Sequence, residues 1–170
     1  TITLIAVKKS FDKPLRFVTL KSGLEQLLHV PGNYDENSLR YSNGYLIWSE
    51  KRVNPRWSYL DYSEVVLLNI QTKKRRRIKR KTRWFAPCLN PTADKIALVE
   101  VDKANNSFLL IVDLEGVELK RIGFGNREMI YHPNWFGANE IVLSSLKGKS
   151  NFLLEVDLIN DVIKYSTPFS

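Results

Sequence analysis

Short stretches of alternating or continuous hydrophobic residues recur along the whole chain, separated by clusters of Gly, Asn, Asp, Pro and Lys. A period of two residues is typical of β-strands, and helical patterns are hard to find. The pattern predicts fifteen strands, at residues 2–8, 15–20, 25–29, 38–41, 45–49, 64–70, 75–79, 84–89, 95–101, 107–113, 118–122, 130–135, 140–145, 151–157 and 161–166. The chain is therefore predicted to be all-β.

The predicted strands repeat as a unit of four. Asn69, Asp113 and Asp157 occupy matching positions 44 residues apart, and Pro87 and Pro133 are 46 residues apart. Four strands in a period of about 40 to 50 residues is typical of β-propeller blades. The chain is thus predicted to be a single propeller segment, with blades at approximately residues 1–30, 38–79, 84–122 and 130–166. The first of these lacks one strand.

One turn of the repeat resembles a known family. Residues 89–97 read Leu-Asn-Pro-Thr-Ala-Asp-Lys-Ile-Ala, which is similar to the Trp-Ser-Pro-Asp-Gly-Lys-x-Ile-Ala turn of TolB-like propellers. These WD40-like repeats also form the N-terminal propellers of prolyl oligopeptidases. Asn90 stands in place of Ser, and a later copy at residues 134–142 keeps the Trp but lacks the Pro. The resemblance covers most of residues 40–165, and it implies a TolB-like fold and a periplasmic or other extracytoplasmic location in the bacterial envelope.

The number of strands is too small for a complete propeller. Fifteen strands make about three and three-quarter blades, whereas larger propellers have six to eight. An open arc exposes apolar blade faces at both ends, so self-association through the open blade edges is one expectation. The other is a longer parent polypeptide, which the start at Thr1 rather than Met favours. A closed four-bladed ring, with residues 167–170 completing the first blade, is the alternative.

The positive charge is concentrated in one segment. Lys and Arg outnumber Asp and Glu by 26 to 18, but nine of these cations lie between Lys73 and Arg83. The rest of the chain therefore carries 17 positive and 18 negative charges, a net charge of −1. Such a run could bind nucleic acid or anionic lipid, or act as a localisation signal. Because residues 75–79 are predicted to form the outer strand of a blade, the charges could instead prevent edge-to-edge pairing.

A long loop follows the second strand of the same blade, at residues 49–62. Because strands alternate in direction within a blade, this loop and the connection at residues 80–83 are expected on the same rim. Arginine together with exposed aromatic residues is typical of protein-binding surfaces. The predicted binding residues are Arg52, Arg56, Trp57, Tyr59, Asp61, Arg80, Lys81 and Arg83. The alternative is that the aromatic residues cover the blade end and that Arg52 or Arg56 pairs with Glu50 or Asp61.

Catalytic and cofactor motifs are missing from the sequence. Cys88 is the only cysteine, and His29 and His132 are far apart, so no zinc ligand set is present. No hydrophobic run approaches the roughly 20 residues of a membrane-spanning helix, whereas 44% hydrophobic residues suffice for a core. We expect no cofactor and a non-catalytic scaffold segment that binds a protein or peptide. The alternative is an accessory propeller of a larger peptidase whose catalytic domain lies outside this chain.

Overall fold

A computed structural model describes residues 3–53, 61–125 and 127–169. All fifteen predicted strands are present, with ends shifted by a few residues. They form one three-stranded and three four-stranded antiparallel sheets, which we call blades 1 to 4. Blade 1 contains β1 (Thr3–Lys8), β2 (Arg16–Lys21) and β3 (Leu24–His29), and blade 2 contains β4 (Arg40–Ser42), β5 (Tyr45–Arg52), β6 (Tyr62–Asn69) and β7 (Arg75–Arg77). Blade 3 contains β8 (Trp84–Leu89), β9 (Lys95–Val101), β10 (Ser107–Asp113) and β11 (Glu118–Gly123), and blade 4 contains β12 (Glu128–Trp135), β13 (Glu140–Lys147), β14 (Ser150–Asp157) and β15 (Val162–Tyr165).

The inner blades are hydrophobic on both faces because each face packs against a neighbouring blade. In β6, Val66 and Leu68 belong to the core shared with blade 1, while Val65 and Leu67 belong to the core shared with blade 3. The alternation of side chains along a strand sends successive residues to opposite faces. A continuous apolar run in β6 therefore fills two cores at once.

The two ends of the arc do not meet. No described strand of blade 1 contacts a described strand of blade 4. Leu4 and Leu27 are exposed on the outer face of blade 1, as is Leu153 on that of blade 4. The described blades thus form an incomplete propeller.

The C-terminal residues extend blade 4. Ser166 N donates a hydrogen bond to Leu153 O (2.8 Å), and Phe169 N donates one to Asn151 O (3.0 Å). Residues 166–169 therefore run beside β14 and do not complete blade 1, so the alternative prediction of a closed four-bladed ring is wrong. Within the described part of the chain, no helix is long and apolar enough to cross a membrane.

Candidate functional site

The connection between blades 2 and 3 is held by hydrogen bonds from both blades. Ser63 N donates to Thr82 O (2.9 Å), and the Thr82 hydroxyl donates to Ser63 O (2.7 Å). On the other side, Val101 N donates to Arg83 O (3.0 Å). The main chain of this connection is therefore held between β6 and β9, which fixes the Cα positions of the side chains on it.

The structure divides the basic run of residues 73–83 into two parts. Its three strand residues all pair with carboxylates that are distant in sequence: Arg75 with Glu50 (3.0 Å), Arg76 with Glu115 (3.3 Å) and Arg77 with Glu64 (3.4 Å). Both Glu50 and Glu64 are buried. The arginines of β7 thus serve contacts within the fold.

The second part of the run lines an open groove on the rim between blades 2 and 3. This rim groove has a volume of about 870 Å³, and blade 3 contributes its other wall. Arg80 and Lys81 are exposed and Arg83 is half-buried. None of these three cations forms an ion pair with a carboxylate of the described residues. The lining consists of Asp61, Tyr62, Lys79, Arg80, Lys81, Thr82, Arg83, Trp84, Glu100, Val101, Asp102, Lys103 and Asn105.

Neutral groups hold the Arg83 side chain in place. Its guanidinium donates to Asp102 O (2.5 Å) and to Asn105 Oδ1 (3.1 Å). Nearby, the Lys79 ammonium lies 5.5 Å from the centre of the Trp84 ring, a cation–π contact. These contacts orient the side chains of Arg83 and Lys79 through neutral groups.

The acidic residues of the groove are engaged by other groups. Asp61 pairs with Lys51 (2.9 Å), and Glu100 pairs with Arg121 (2.5 Å). Asp102 accepts hydrogen bonds from the side chain and main chain of Asn106, which lower the pKa of Asp102. Asp61 and Glu100 thus pair with cations other than Arg80, Lys81 and Arg83, while the charge of Arg83 makes a smaller contribution to the lowered pKa of Asp102.

Glu50 is the centre of a buried charge cluster between blades 1 and 2. One carboxylate oxygen accepts hydrogen bonds from Gly32 N (3.0 Å) and Trp48 Nε1 (3.1 Å), and the other accepts from Arg52 (2.9 Å) and Arg75 (3.0 Å). Burial acts to raise the pKa of Glu50, but the two N–H donors and the two guanidinium charges outweigh it and lower that pKa. Glu50 is thus a buried anion, and each of its two carboxylate oxygens accepts two hydrogen bonds.

Glu64 lies directly opposite Glu50 in the pairing of β5 with β6. Two carboxylates in this position repel each other unless cations lie between them. Arg52 provides this bridge, since it also approaches Glu64 (3.8 Å). The Lys81 main-chain N–H donates to Glu64 as well (3.0 Å), which links the charge cluster to the rim groove.

The predicted binding residues are distributed over three places. Asp61, Arg80, Lys81 and Arg83 line the rim groove together, in agreement with the shared rim inferred from strand alternation. Arg52 instead belongs to the buried charge cluster, where it pairs with Glu50. This pairing agrees with the alternative prediction that Arg52 or Arg56 pairs with Glu50 or Asp61. Arg56, Trp57 and Tyr59 lie outside the described residues.

Sequence reasoning missed the wall that blade 3 contributes to the groove. Glu100, Asp102 and Lys103 lie at the end of β9 and in the loop that follows it. That loop follows the second strand of blade 3, and strand alternation places it on the same rim as the connection at residues 80–83. The repeat therefore contained the signal that could have identified these residues.

The described part of the chain offers neither a reactive thiol nor a metal-ligand cluster. Burial raises the pKa of the Cys88 thiol, which disfavours its reactive thiolate form. Among residues 3–53, 61–125 and 127–169, no three His, Cys, Asp or Glu side chains form a group that could hold a metal ion.

Several solved structures are similar in fold to this chain. A putative TolB from Agrobacterium tumefaciens has a TM-score of 0.71 at 9% sequence identity, and the match covers 96% of this chain and 60% of that one. The β-propeller domain of the Trilobed protease from Pyrococcus furiosus has a TM-score of 0.58 at 14% identity, with 78% and 42% covered. A chain of a nidogen/laminin complex has a TM-score of 0.60 at 13% identity, with 98% and 59% covered.

These matches show that the chain has a β-propeller fold, with blades like those of the putative TolB. It spans 60% of the length of the Agrobacterium TolB chain. At such low identities the likeness concerns the fold, and a fold by itself does not specify an activity. No protein-family model matches the chain, and no curated protein matches it.

Proposed function

We propose that the chain is a non-catalytic segment of a TolB-like propeller that binds a protein or peptide in the rim groove. The observation that carries the proposal is that Arg80, Lys81 and Arg83 have no carboxylate partner in the described chain and line one groove. Cations that are not neutralised within the protein are available to an anionic partner. Because their main chain is already fixed, less conformational entropy is lost when the partner binds.

The exposed ends of the arc suggest a second kind of contact. The outer faces of blades 1 and 4 carry the exposed side chains of Leu4, Leu27 and Leu153. In the described chain, the inner blades cover faces of the same kind with a neighbouring blade. We propose that further blades of a longer polypeptide or a second copy cover these two faces.

A second candidate function is that of an accessory propeller in a larger peptidase. It is favoured by the similarity to the propeller domain of the Trilobed protease. In this case the catalytic domain lies outside the chain, and the blades restrict the access of substrates. Both functions predict that the chain itself hydrolyses no peptide, so peptide hydrolysis by the purified chain would contradict both.

Selective loss of binding tests the proposed site. The chain is immobilised, proteins of the native host extract are captured, and the wild type is compared with the double variant Arg80→Gln, Lys81→Gln. The control is Lys73→Gln, Lys74→Gln, which removes the same charge from exposed residues of the same basic run but outside the groove. We expect the control to retain the captured proteins and the groove variant to lose them.

Retention of every captured protein by the groove variant would refute the site. Equal loss from both variants would show that net charge alone is responsible, which also contradicts a specific groove. Both variants are expected to unfold at the wild-type temperature, because exposed charges contribute little to stability.

A further inference from the structure

Two smaller cavities continue the rim groove toward the innermost strands. The first, of about 310 Å³, shares Asp61, Tyr62 and Arg83 with the rim groove. The second, of about 290 Å³, shares Asp35 and Phe85 with the first. The three together form one surface, here called the extended groove, which leads from the rim between blades 2 and 3 to the cleft between blades 3 and 4.

The inner end of the extended groove is mainly apolar. Met129 and Tyr131 lie on β12, the first strand of blade 4, and are 45% and 36% exposed. Large hydrophobic side chains that remain exposed at a cleft are typical of binding surfaces. The apolar lining consists of Phe85, Ala86, Val99, Val101, Met129, Ile130 and Tyr131.

Backbone irregularities lie at this end of the groove in two blades. Ala86 in β8 and His132 in β12 have φ angles of 46° and 50°, in the left-handed region that non-glycine residues seldom adopt. The strand pairing shifts register at both places. A β-bulge redirects side chains and is frequent beside functional sites. The bulges thus shape the part of β8 and β12 that lines the apolar cavity.

We propose that the extended groove binds an extended acidic segment of a partner protein, whose carboxylates contact Arg80, Lys81 and Arg83 while an apolar side chain enters the cavity beside Met129 and Tyr131. The proposal rests on the proposed function and specifies the chemistry of the partner. It follows from charge complementarity at the outer end and from apolar complementarity at the inner end.

A nucleic acid fits this surface less well than a peptide. Asp61 and Asp102 line the rim groove beside the cations, and Asp35 lines both smaller cavities. A nucleic acid carries a negative charge at every phosphate, so these carboxylates would repel its backbone. A peptide can place its acidic residues beside Arg80 and Lys81 and its uncharged residues beside the three carboxylates.

Three labelled synthetic peptides test the proposal by fluorescence anisotropy. The first carries four Glu residues, a Gly spacer and the sequence Leu-Phe. In the second each Glu is replaced by Gln, and in the third Leu-Phe is replaced by Ser-Ser. We expect the first peptide to bind at least about tenfold more tightly than either of the others, because each lacks one of the two complementary parts. Added salt should weaken the first peptide and leave the second unaffected.

Variants of the chain locate the two contacts. Arg80→Gln, Lys81→Gln should weaken the first peptide by roughly tenfold and abolish most of its salt dependence. Met129→Gln should weaken the first peptide by about fivefold and leave the Ser-Ser peptide unchanged, because it removes apolar contact only. Lys73→Gln, Lys74→Gln should stay within about twofold of wild type, since neither residue lines the extended groove.

Several outcomes would overturn the proposal that the extended groove binds an acidic segment with an apolar side chain. One is equal binding of the first and third peptides, another is an absence of binding by all three, and a third is insensitivity to Met129→Gln. Tighter binding of a labelled oligothymidine than of the first peptide at the same salt concentration would favour nucleic acid instead. These failures leave the proposed function intact if Arg80→Gln, Lys81→Gln still loses the captured proteins. If that variant retains them, the proposed function fails as well.

Discussion

Replacing Glu50 by Gln is expected to destabilise the chain by about 3 kcal/mol. The two side chains have nearly the same size, so the substitution changes charge and hydrogen bonding without creating a cavity. Glu50 is fully buried and accepts four hydrogen bonds. If the Gln oxygen faces Gly32 and Trp48, its NH₂ group faces two guanidinium donors, and both of those bonds are lost.

The expected magnitude follows from the exposure of the two arginines. A hydrogen bond to a charged group contributes about 1.5 to 3 kcal/mol, so two of them set an upper limit of about 6 kcal/mol. The side chains of Arg52 and Arg75 are 40% and 31% exposed, and water therefore compensates part of the loss. We therefore expect a loss of about half of this upper limit, or about 3 kcal/mol. For a chain of this length, such a loss lowers the melting temperature by about 6 to 12 °C.

Urea unfolding followed by tryptophan fluorescence measures the effect, because Trp48 donates directly to Glu50. The matched control is Glu115→Gln, which removes the carboxylate partner of Arg76. Both side chains of that pair are largely exposed, so the control is expected to cost less than about 0.5 kcal/mol. If the free energies of unfolding of the two variants agreed within about 1 kcal/mol, the reasoning about the buried cluster would be refuted.

The same variant has a defined pH dependence. Because the pKa of Glu50 is lowered in the folded chain, its contribution is present above its ordinary pKa of 4.5. The contribution is lost as the pH falls through the folded-state pKa. The stability difference between wild type and Glu50→Gln should therefore shrink below pH 4.5.

Two further predictions concern a glycine and a histidine. Gly116→Ala should lower the free energy of unfolding in urea by about 2 to 3 kcal/mol, because φ is +83° and the new Cβ would lie 3.0 Å from Ile78 Cγ2. The control Gly23→Ala, at φ +80° with no atom within 4 Å of the new Cβ, should lower it by only about 1 kcal/mol. Equal losses would show that the contact with Ile78 is unimportant. Burial and the charge of Arg75 lower the pKa of His29 below its ordinary 6.5, so stability should decrease as the pH falls below 6.5, and His29→Gln should remove this slope. An unchanged slope in thermal unfolding from pH 7 to 5 would contradict the assignment.

The strands and their grouping could be predicted from the sequence because they depend on local periodicity. The apolar run at residues 65–68 indicates a strand covered on both faces, and the spacing of Asn69, Asp113 and Asp157 indicates the repeat. Each of these features lies within one blade or recurs from blade to blade. The common rim of Asp61 and Arg83 could be predicted for the same reason, since it follows from the alternating direction of strands.

Tertiary structure alone determined which cations of the basic run are available to a partner. Arg75, Arg77 and Arg80 are the same residue type in the same basic run. Arg75 lies beside the Glu50 carboxylate and Arg77 beside that of Glu64, whereas Arg80 pairs with no carboxylate of the described residues. Those contacts depend on the register between β5, β6 and β7, which a period-two pattern does not encode. The second wall of the rim groove likewise depends on the packing of blade 3 against blade 2. The sequence by itself thus determined the blades, because periodicity is local, and the tertiary structure decided the candidate site, because charge pairing joins residues that are distant along the chain.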